Sequence, residues 1–553
     1  MKRLLFCLLA AATATLSANP IRQASEARLW LNVPLDQAPL GDVEVSAGSV
    51  NPADWEKDPA VRERKTDITF PLRWWSWKEV EISFTPQKDG TVDLMLNGPW
   101  AADEDGQMPR QEILWDDIRA EGTDLINGSF ETWEGNAPQG WNAPWKPYLA
   151  PTDWPIAEPS AKEGKSVGAS WINRPLMQNL VLKAGRKVTL RLHAKAATPP
   201  GFVAPVSPGN NTPAHKAAAS IKRGVNLGNG WEAPPPNGWG LKFTTEDIDR
   251  IADEGFDHIR VPVGWHFHLK EKDGSYVIDP AFLTEIEPVL RRAMERKLHV
   301  ILNWHHFHDI TQGPAKHEER FIRSWETIAR HFASWPPALF FELLNEPCDA
   351  LTTEVANGLY QKTIRSIRKS NPQRILVASP GHWGIIGELD RLRLPDDDDR
   401  IIVTVHSYEP FQFTHQGAGW VGLQDLKGVV YPGPPATPLA IPESLKDNSG
   451  LKYFLDRYNT LPAERNPSSP RVIRELMDTA SAWSKQFGRP VHLGEFGANG
   501  PGDIESRRRY LQDVRNLAEE RGIPWTLWEW KAGFGYWNPE TQQPNFDFEL
   551  KGE

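Results

Sequence analysis

Two rhythms of apolar and polar residues divide this chain. Before about residue 195, apolar positions alternate singly with polar ones: Val80, Ile82 and Phe84, then Val92, Leu94 and Leu96, then Val188, Leu190 and Leu192. A period of two places one row of side chains on one face of a strand, and Gly, Pro and Asp turns separate the runs. The pattern predicts an all-β sandwich over 25–195. Trp74, Trp75 and Trp77 crowd one stretch of it. Strand alternation there would set Trp75 and Trp77 on a common face, either as a sugar-stacking surface or, more simply, as core.

Residues 196–219, rich in Pro, Ala, Gly and Asn, carry no such period and read as a linker. Beyond it the rhythm changes. Short apolar runs begin near Gly224, His258, Val300, Phe340, Ile375, Ile402, Val491 and Thr526. Amphipathic helical stretches lie between most of them: Glu246 to Glu254, Pro280 to Arg296, Glu318 to Phe332, Thr353 to Ser370, Arg471 to Phe487 and Ile504 to Arg521. Eight strands alternating with helices predict a closed (β/α)8 TIM barrel over 220–545, leaving little room for an eighth helix. In such a barrel all strand C-termini open on one face, so the residues that end the strands meet there.

Those ends are Asn226, Arg260, His305, Asn345 with Glu346, His406 with Tyr408, Glu495, and Trp528. Two of them, Glu346 after Phe340 to Leu344 and Glu495 after Val491 to Gly494, are carboxylates delivered by a buried run into a turn. Cleaving a sugar acetal needs such a pair, one carboxyl to protonate the leaving oxygen and one to attack or to activate water. Taken singly, each residue has a plainer role: Arg260 in a structural ion pair, His406 in the core, Trp528 as filling for the barrel top. The run His305-His306-Phe307-His308-Asp309 could aim His306 and His308 at a metal, but matching ligands do not recur at other strand ends, and the expected metal and cofactor complement is none.

Composition narrows the choice. A formal net charge of -10 gives no concentrated basic surface for nucleic acid. The 25 tryptophans exceed what a core needs and suit a protein that stacks indoles on sugar rings. Lys2 and Arg3 precede an apolar run, Leu4 to Ala12, and small residues at 15–18, which reads as a signal peptide over 1–18 and predicts a secreted or periplasmic protein. Cys7 lies within that leader, so the mature chain would keep Cys348 alone, with no intrachain disulfide. No other run has the roughly twenty apolar residues of a membrane span.

The order Ile259-Arg260-Val261-Pro262, Asn303-Trp304-His305-His306, Leu344-Asn345-Glu346-Pro347, Val405-His406-Ser407-Tyr408, Gly494-Glu495-Phe496-Gly497 and Trp528-Glu529-Trp530 resembles glycoside hydrolase family 5, the cellulase family A, across about residues 220 to 540. The resemblance implies Glu346 as general acid and base and Glu495 as nucleophile of a retaining reaction. It also implies substrate contacts from Asn226, Arg260, His305, His306, Asn345, His406, Tyr408 and Trp528. An endo-β-1,4-glucanase is the leading expectation, with a plant β-glucan as partner and a monomer as the default. A mannanase, xyloglucanase or exo-β-glucanase would carry the same set, and a noncatalytic polysaccharide-binding barrel is the rival of another class. Trp231, Trp239, Trp265, Trp383 and Trp420 are candidates for further sugar platforms. Within 25–195, Leu125 to Glu131 and Lys183 to Leu190 resemble the opening half of jelly-roll carbohydrate-binding modules, and Phe84 to Asp117 the closing half, as in one sandwich with permuted strands.

Overall fold

A computed structural model describes residues 26–52, 63–99, 111–134, 137–142, 161–172, 174–198, 202, 204–235, 238–546 and 548. The leader expected over 1–18, with Cys7, lies outside them. The chain forms two units, Met1–Ala204 and Pro205–Glu553.

In the first unit, besides a short hairpin of Trp133–Glu134 with Ala137–Pro138, the described strands run β1 (Glu26–Pro34), β2 (Glu44–Val45), β3 (Ser49–Pro52), β4 (Glu63–Pro71), β5 (Lys78–Phe84), β6 (Gly90–Asn97), β7 (Ile113–Glu121), β8 (Gly168–Ser170), β9 (Leu176–Leu182) and β10 (Val188–Ala196). They make two antiparallel five-stranded sheets, ordered β9-β6-β1-β4-β3 and β8-β7-β10-β5-β2. The alternation read from the sequence is the reason these sheets stack. Leu29, Leu31, Ile68, Leu94 and Leu96 of one sheet and Val80, Ile82, Leu190 and Leu192 of the other are fully buried in a shared core. Each such side chain contributes about 1.5–3 kcal/mol through removal from water. The tryptophan cluster departs from expectation. Residues 74–77 bend ahead of β5 rather than extending as a strand, so alternation does not apply; Trp74 packs on the sandwich core and Trp75 lies under the Arg73 guanidinium, 4.9 Å from its carbon.

The second unit is built on β11 (Arg223–Asn226), β12 (His258–Val263), β13 (His299–Trp304), β14 (Leu339–Glu342), β15 (Leu376–Ala378), β16 (Ile401–His406), β17 (Val491–Glu495) and β18 (Trp525–Leu527). These eight strands form a closed parallel barrel in chain order, and β18 pairs with β11 to complete it. Helices Thr245–Asp253, Pro280–Glu295, Pro314–His331, Thr353–Arg368, Pro470–Phe487 and Ile504–Glu519 occupy the predicted stretches, each turning an apolar stripe to the barrel. A further helix, Ser449–Thr460, stands in the long connection between β16 and β17. After β18 the described residues contain a hairpin, Trp537–Asn538 with Gln543–Pro544, and no helix.

The linker expected over 196–219 is too broad. Ala196 ends β10, and Pro213–Ala218 is a helix whose first turn is capped by the Thr212 side chain. Ala214 and Ala218 of that helix, with Ile221, pack on Ile301, Phe340, Val377 and Ile402 of the barrel wall. Small residues that read as linker composition serve here for close approach. Among the described residues no helix is long and apolar enough to cross a membrane.

Candidate active site

At the mouth of the barrel the strand ends converge on Arg260, which ends no strand in water but is fully buried. Its Nε and Nη2 donate to Glu342 Oε2 and Oε1, both at 2.7 Å. Nη1 donates to Asn226 Oδ1 at 2.8 Å and to Glu495 Oε1 at 2.7 Å, and Nη2 to Asn345 Oδ1 at 2.7 Å. A guanidinium offers its donors in a rigid plane, so one side chain fixes the relative positions of β11, β12, β14, β17 and the turn after β14. Asn226 extends the brace by donating to the carbonyls of Gly494 (3.0 Å) and Leu527 (3.2 Å).

Glu346 follows β14 in a turn where its own backbone is left-handed, φ 45°, and where the Asn345 N–H donates to the Trp304 carbonyl at 2.8 Å. Its Oε1 lies 2.7 Å from His406 Nδ1, and the same nitrogen is 3.7 Å from Glu495 Oε2. Carboxylate oxygens of Glu346 and Glu495 lie within 4.8 Å of each other and of a His406 ring nitrogen. Tyr408 donates its hydroxyl to Glu495 Oε2 at 2.9 Å. The His305 ring lies parallel to the Trp528 indole, with centroids 5.7 Å apart, and its Nδ1 is 2.8 Å from Asn303 Oδ1. His306 meets the His305 ring edgewise, and Trp239 stands beyond it. His306 and His308 stack on each other, but no third ligand-type side chain joins them among the described residues.

Burial sets the proton affinities. It pushes the Glu346 carboxyl up to about 7, with Arg260 opposing and Glu342 adding to the rise. Burial also raises Glu495, but His406, Arg260 and the Tyr408 hydroxyl all oppose it. Glu495 thus receives a charged donor and a hydroxyl, where Glu346 faces one imidazole and the neutral Asn345 amide. Tyr408 is held well above its ordinary value by burial and by Glu495, so it stays a donor. Burial lowers His406 and drives His305 well below its usual range, leaving a neutral imidazole beside Trp528.

The ten residues expected to form the site thus all stand at the barrel mouth. Trp231 and Trp265 do not act as platforms: both are buried, Trp231 bonded to Glu285 and Trp265 packed on Phe282 and Phe332. Trp239, Trp383 and Trp420 are 50%, 53% and 68% exposed. Trp383 is presented next to Glu346 by its own N–H, which donates to the Pro347 carbonyl at 3.1 Å.

Sequence reasoning missed two groups. Glu342 and Asn303 brace the centre, Asn303 donating to Glu342 Oε1 at 2.7 Å; a charge inside an otherwise apolar strand was the available signal, since it demands a buried partner. The other group is a second carboxyl pair. Asn229 bonds Glu232 through its backbone N–H and Glu529 through its side-chain amide. Burial raises Glu232 to about 7 and Glu529 to about 8.

A parallel barrel whose strand ends bring two glutamates this close is, as a class, a glycoside hydrolase scaffold. Residues 218–533 match the family model of cellulase, glycosyl hydrolase family 5, and with more than half its length matched the chain belongs to that family. Endoglucanase H of Acetivibrio thermocellus is 29% identical over 306 residues, covering 55% of this chain and 29% of that protein. Endoglucanase C of the same organism is 28% identical over 330 residues, 56% of this chain and 92% of that protein. This chain therefore spans under a third of the first relative and most of the second. Among solved structures, a hyperthermophilic endo-β-1,4-glucanase in complex with substrate is 36% identical, with a TM-score of 0.51 over 60% of this chain and 95% of that one. Thermotoga maritima Cel5A, solved in complex with mannotriose, is 31% identical, with a TM-score of 0.52 over 60% and 96%.

Proposed function

We propose that the protein is an exported, retaining endo-β-1,4-glucanase, with Glu346 as acid and base and Glu495 as nucleophile. The observation that carries this reading is the approach of the two carboxyl groups, whose oxygens lie within 4.8 Å. Retaining glycosidases hold their carboxyls about 5 Å apart, while inverting ones leave room for a water at about 6.5–9.5 Å. In the first step Glu495, kept ionised by Arg260 and Tyr408, attacks the anomeric carbon while Glu346 gives its proton to the leaving oxygen. In the second, Glu346 takes a proton from water as that water displaces Glu495 from the sugar. Trp528, backed by neutral His305, offers a flat apolar floor for the reacting ring. Asn345, its Oδ1 held by Arg260 and its amide bonded to Glu346, can turn an N–H to the sugar 2-hydroxyl when substrate binds.

Three exposed indoles favour a long chain over a terminal sugar. Trp383 stands on the Glu346 side, Trp239 beyond His306, and Trp420 near Phe534, so sugar rings can stack on several sides of the reacting centre. The relatives named as endoglucanases point the same way. Export rests on the leader read over 1–18. A mannan is the second reading, because the Cel5A of similar sequence was solved with mannotriose.

The test is product analysis of the full chain on soluble cellulose, galactomannan, xyloglucan and β-1,3-glucan. A ladder of cello-oligosaccharides, released first as the β-anomer by proton NMR, is expected. Release from galactomannan alone would move the substrate to mannan, and an α-anomer first would overturn retention. Glu495→Ala is expected to lose about a thousand-fold or more in kcat with the fold retained.

A further inference from the structure

Below the catalytic carboxyls, the barrel interior carries a file of hydrogen-bonding side chains that the mechanism above does not use. It starts at the foot with Asp257, which precedes β12 and is 34% exposed at its side chain. Asp257 Oδ1 lies 2.7 Å from His258 Nδ1. His258 Nε2 lies 2.7 Å from Thr526 Oγ1, which in turn lies 2.7 Å from His492 Nε2. His492 Nδ1 is 3.2 Å from Thr404 Oγ1. His258, Thr526, His492 and Thr404 are all fully buried, on β12, β18, β17 and β16. Room for the first ring comes from Gly224, where an added Cβ would fall 2.2 Å from His258 Nε2.

Thr404 is two residues before His406 on the same strand, and both side chains close on the Cα of Gly494. A Cβ at that glycine would lie 2.3 Å from Thr404 Oγ1 and 3.1 Å from His406 Nε2. His406 Nε2 is buried and meets no partner in the protein. Buried polar nitrogens are almost always satisfied, and the Thr404 hydroxyl across Gly494 supplies the second polar group that one bridging water would need.

The direction of donation follows from the inventory of protons. A carboxylate only accepts, so His258 donates from Nδ1 to Asp257, and a ring carrying that one proton accepts at Nε2 from the Thr526 hydroxyl. Thr526 has one proton to give, so its oxygen accepts from His492 Nε2–H. The other nitrogen of His492, a ring kept neutral by burial, then accepts from Thr404. Thr404 is left presenting an acceptor towards His406. Successive hydrogen bonds polarise one another in the same sense.

We propose that this file, Asp257–His258–Thr526–His492–Thr404, is a positioning device for the acid: through a water above Gly494 it draws the His406 proton onto Nε2, so that Nδ1 accepts from the Glu346 carboxyl. The proposal rests on the acid assignment of Glu346 made above. A carboxyl that donates to an imidazole nitrogen is stabilised in its protonated form, the form that must donate to the leaving oxygen. The other ionisable groups that face Glu346 and His406 are Arg260 from β12, His305 from β13, Glu342 from β14, Glu495 from β17, and Tyr408 and Cys348 from the flanking turns. Arg260 and the glutamates act on Glu346 by charge and the Asn345 amide by a direct hydrogen bond; the file acts on it by setting the direction of the His406 bond.

The experiment is the pH dependence of kcat/KM on cellopentaose for the full chain and four variants. Thr404→Val, which keeps volume and removes the hydroxyl, is expected to let His406 donate from Nδ1 and so move the basic limb down by about 0.5–1 pH unit. Thr526→Val breaks the file two links further away, and Asp257→Asn weakens its polarity at the partly exposed foot; both are expected to move the limb in the same direction by less. Thr404→Ser restores the hydroxyl and is expected to restore the limb. Thermal unfolding identifies any variant that fails to fold, and Asp257→Asn carries the test if the threonine variants do. An unmoved basic limb in folded variants overturns the proposal, and so does an upward shift, which would mean that the file donates towards Glu346. If wild type hydrolyses neither cellopentaose nor any polymer, the glycosidase reading fails with it, whereas hydrolysis with an unmoved limb defeats the file alone.

Discussion

Arg260 is a buried cation with two carboxylate partners and two amide partners, and its removal would leave Glu342 and Glu495 as uncompensated buried charges. Arg260→Met is therefore expected to cost about 3–5 kcal/mol in urea unfolding as well as activity, a double loss that a residue contacting substrate alone would not show. Proton affinity makes a separate prediction. With the Glu346 carboxyl pushed up to about 7, the proposed acid loses its proton as pH rises through that value, so kcat/KM should fall on the basic side near neutrality. Glu342 contributes to that rise by its charge, and Glu342→Gln should move the fall to lower pH. At this scale the sequence was informative wherever a residue ended a short apolar run, because strand ends of a barrel share one face; Glu346, His406, Glu495 and Trp528 were legible for that reason, while Arg260 stood out as a charge within the apolar run of β12. Glu342 closes β14 within an apolar run that continues through Leu344, and Asn303 sits one residue before the end of β13, so their neighbours across the barrel decide their meaning. Asn229, Glu232 and Glu529 were silent because their meeting depends on loops after β11 and β18 that are about 300 residues apart, a separation of 300 for the Asn229–Glu529 bond.

Strands were the most readable elements. A buried parallel strand is apolar on both faces, and all eight runs of that kind became β11 to β18. Helix Ser449–Thr460 was missed because it stands in an insertion between β16 and β17, outside the alternation that located the others. Helix Pro213–Ala218 was hidden by composition: proline at its first turn and alanines at its contact face look like linker when read without the barrel they pack on. The barrel wall also contains positions where only glycine fits. Gly224→Ala would drive a methyl into the His258 ring, held in place by Asp257 and Thr526, and should lower stability by about 1–3 kcal/mol, read as a shift in the urea midpoint.

For the molecule as a whole, three glutamates link stability to pH, Glu232 and Glu529 buried and Glu346 partly so. Glu346 and Glu232 are raised to about 7 and Glu529 to about 8, so the folded chain holds protons that the unfolded chain releases at ordinary carboxylate values. Their contribution is complete below about pH 4.5 and is lost as pH rises through the folded values. Below about pH 6.5 the buried histidines, lowered by the same burial, oppose this trend, so the urea midpoint should fall between about pH 7 and pH 8.5, and Glu529→Gln, which cannot ionise, should flatten that fall. The Arg260 brace has one further consequence, for refolding. Its partners come from β11, β14 and β17, and the last of them is 235 residues away in sequence, at Glu495. The Asn226 pair can form on two neighbouring strands, but the Glu495 pair reaches across the barrel and needs the ring of strands to shut. Enzymatic turnover is thus a clock for ring closure: during refolding from denaturant, far-ultraviolet circular dichroism should recover first, as local helices form, and hydrolysis should return only with the slower, concerted phase.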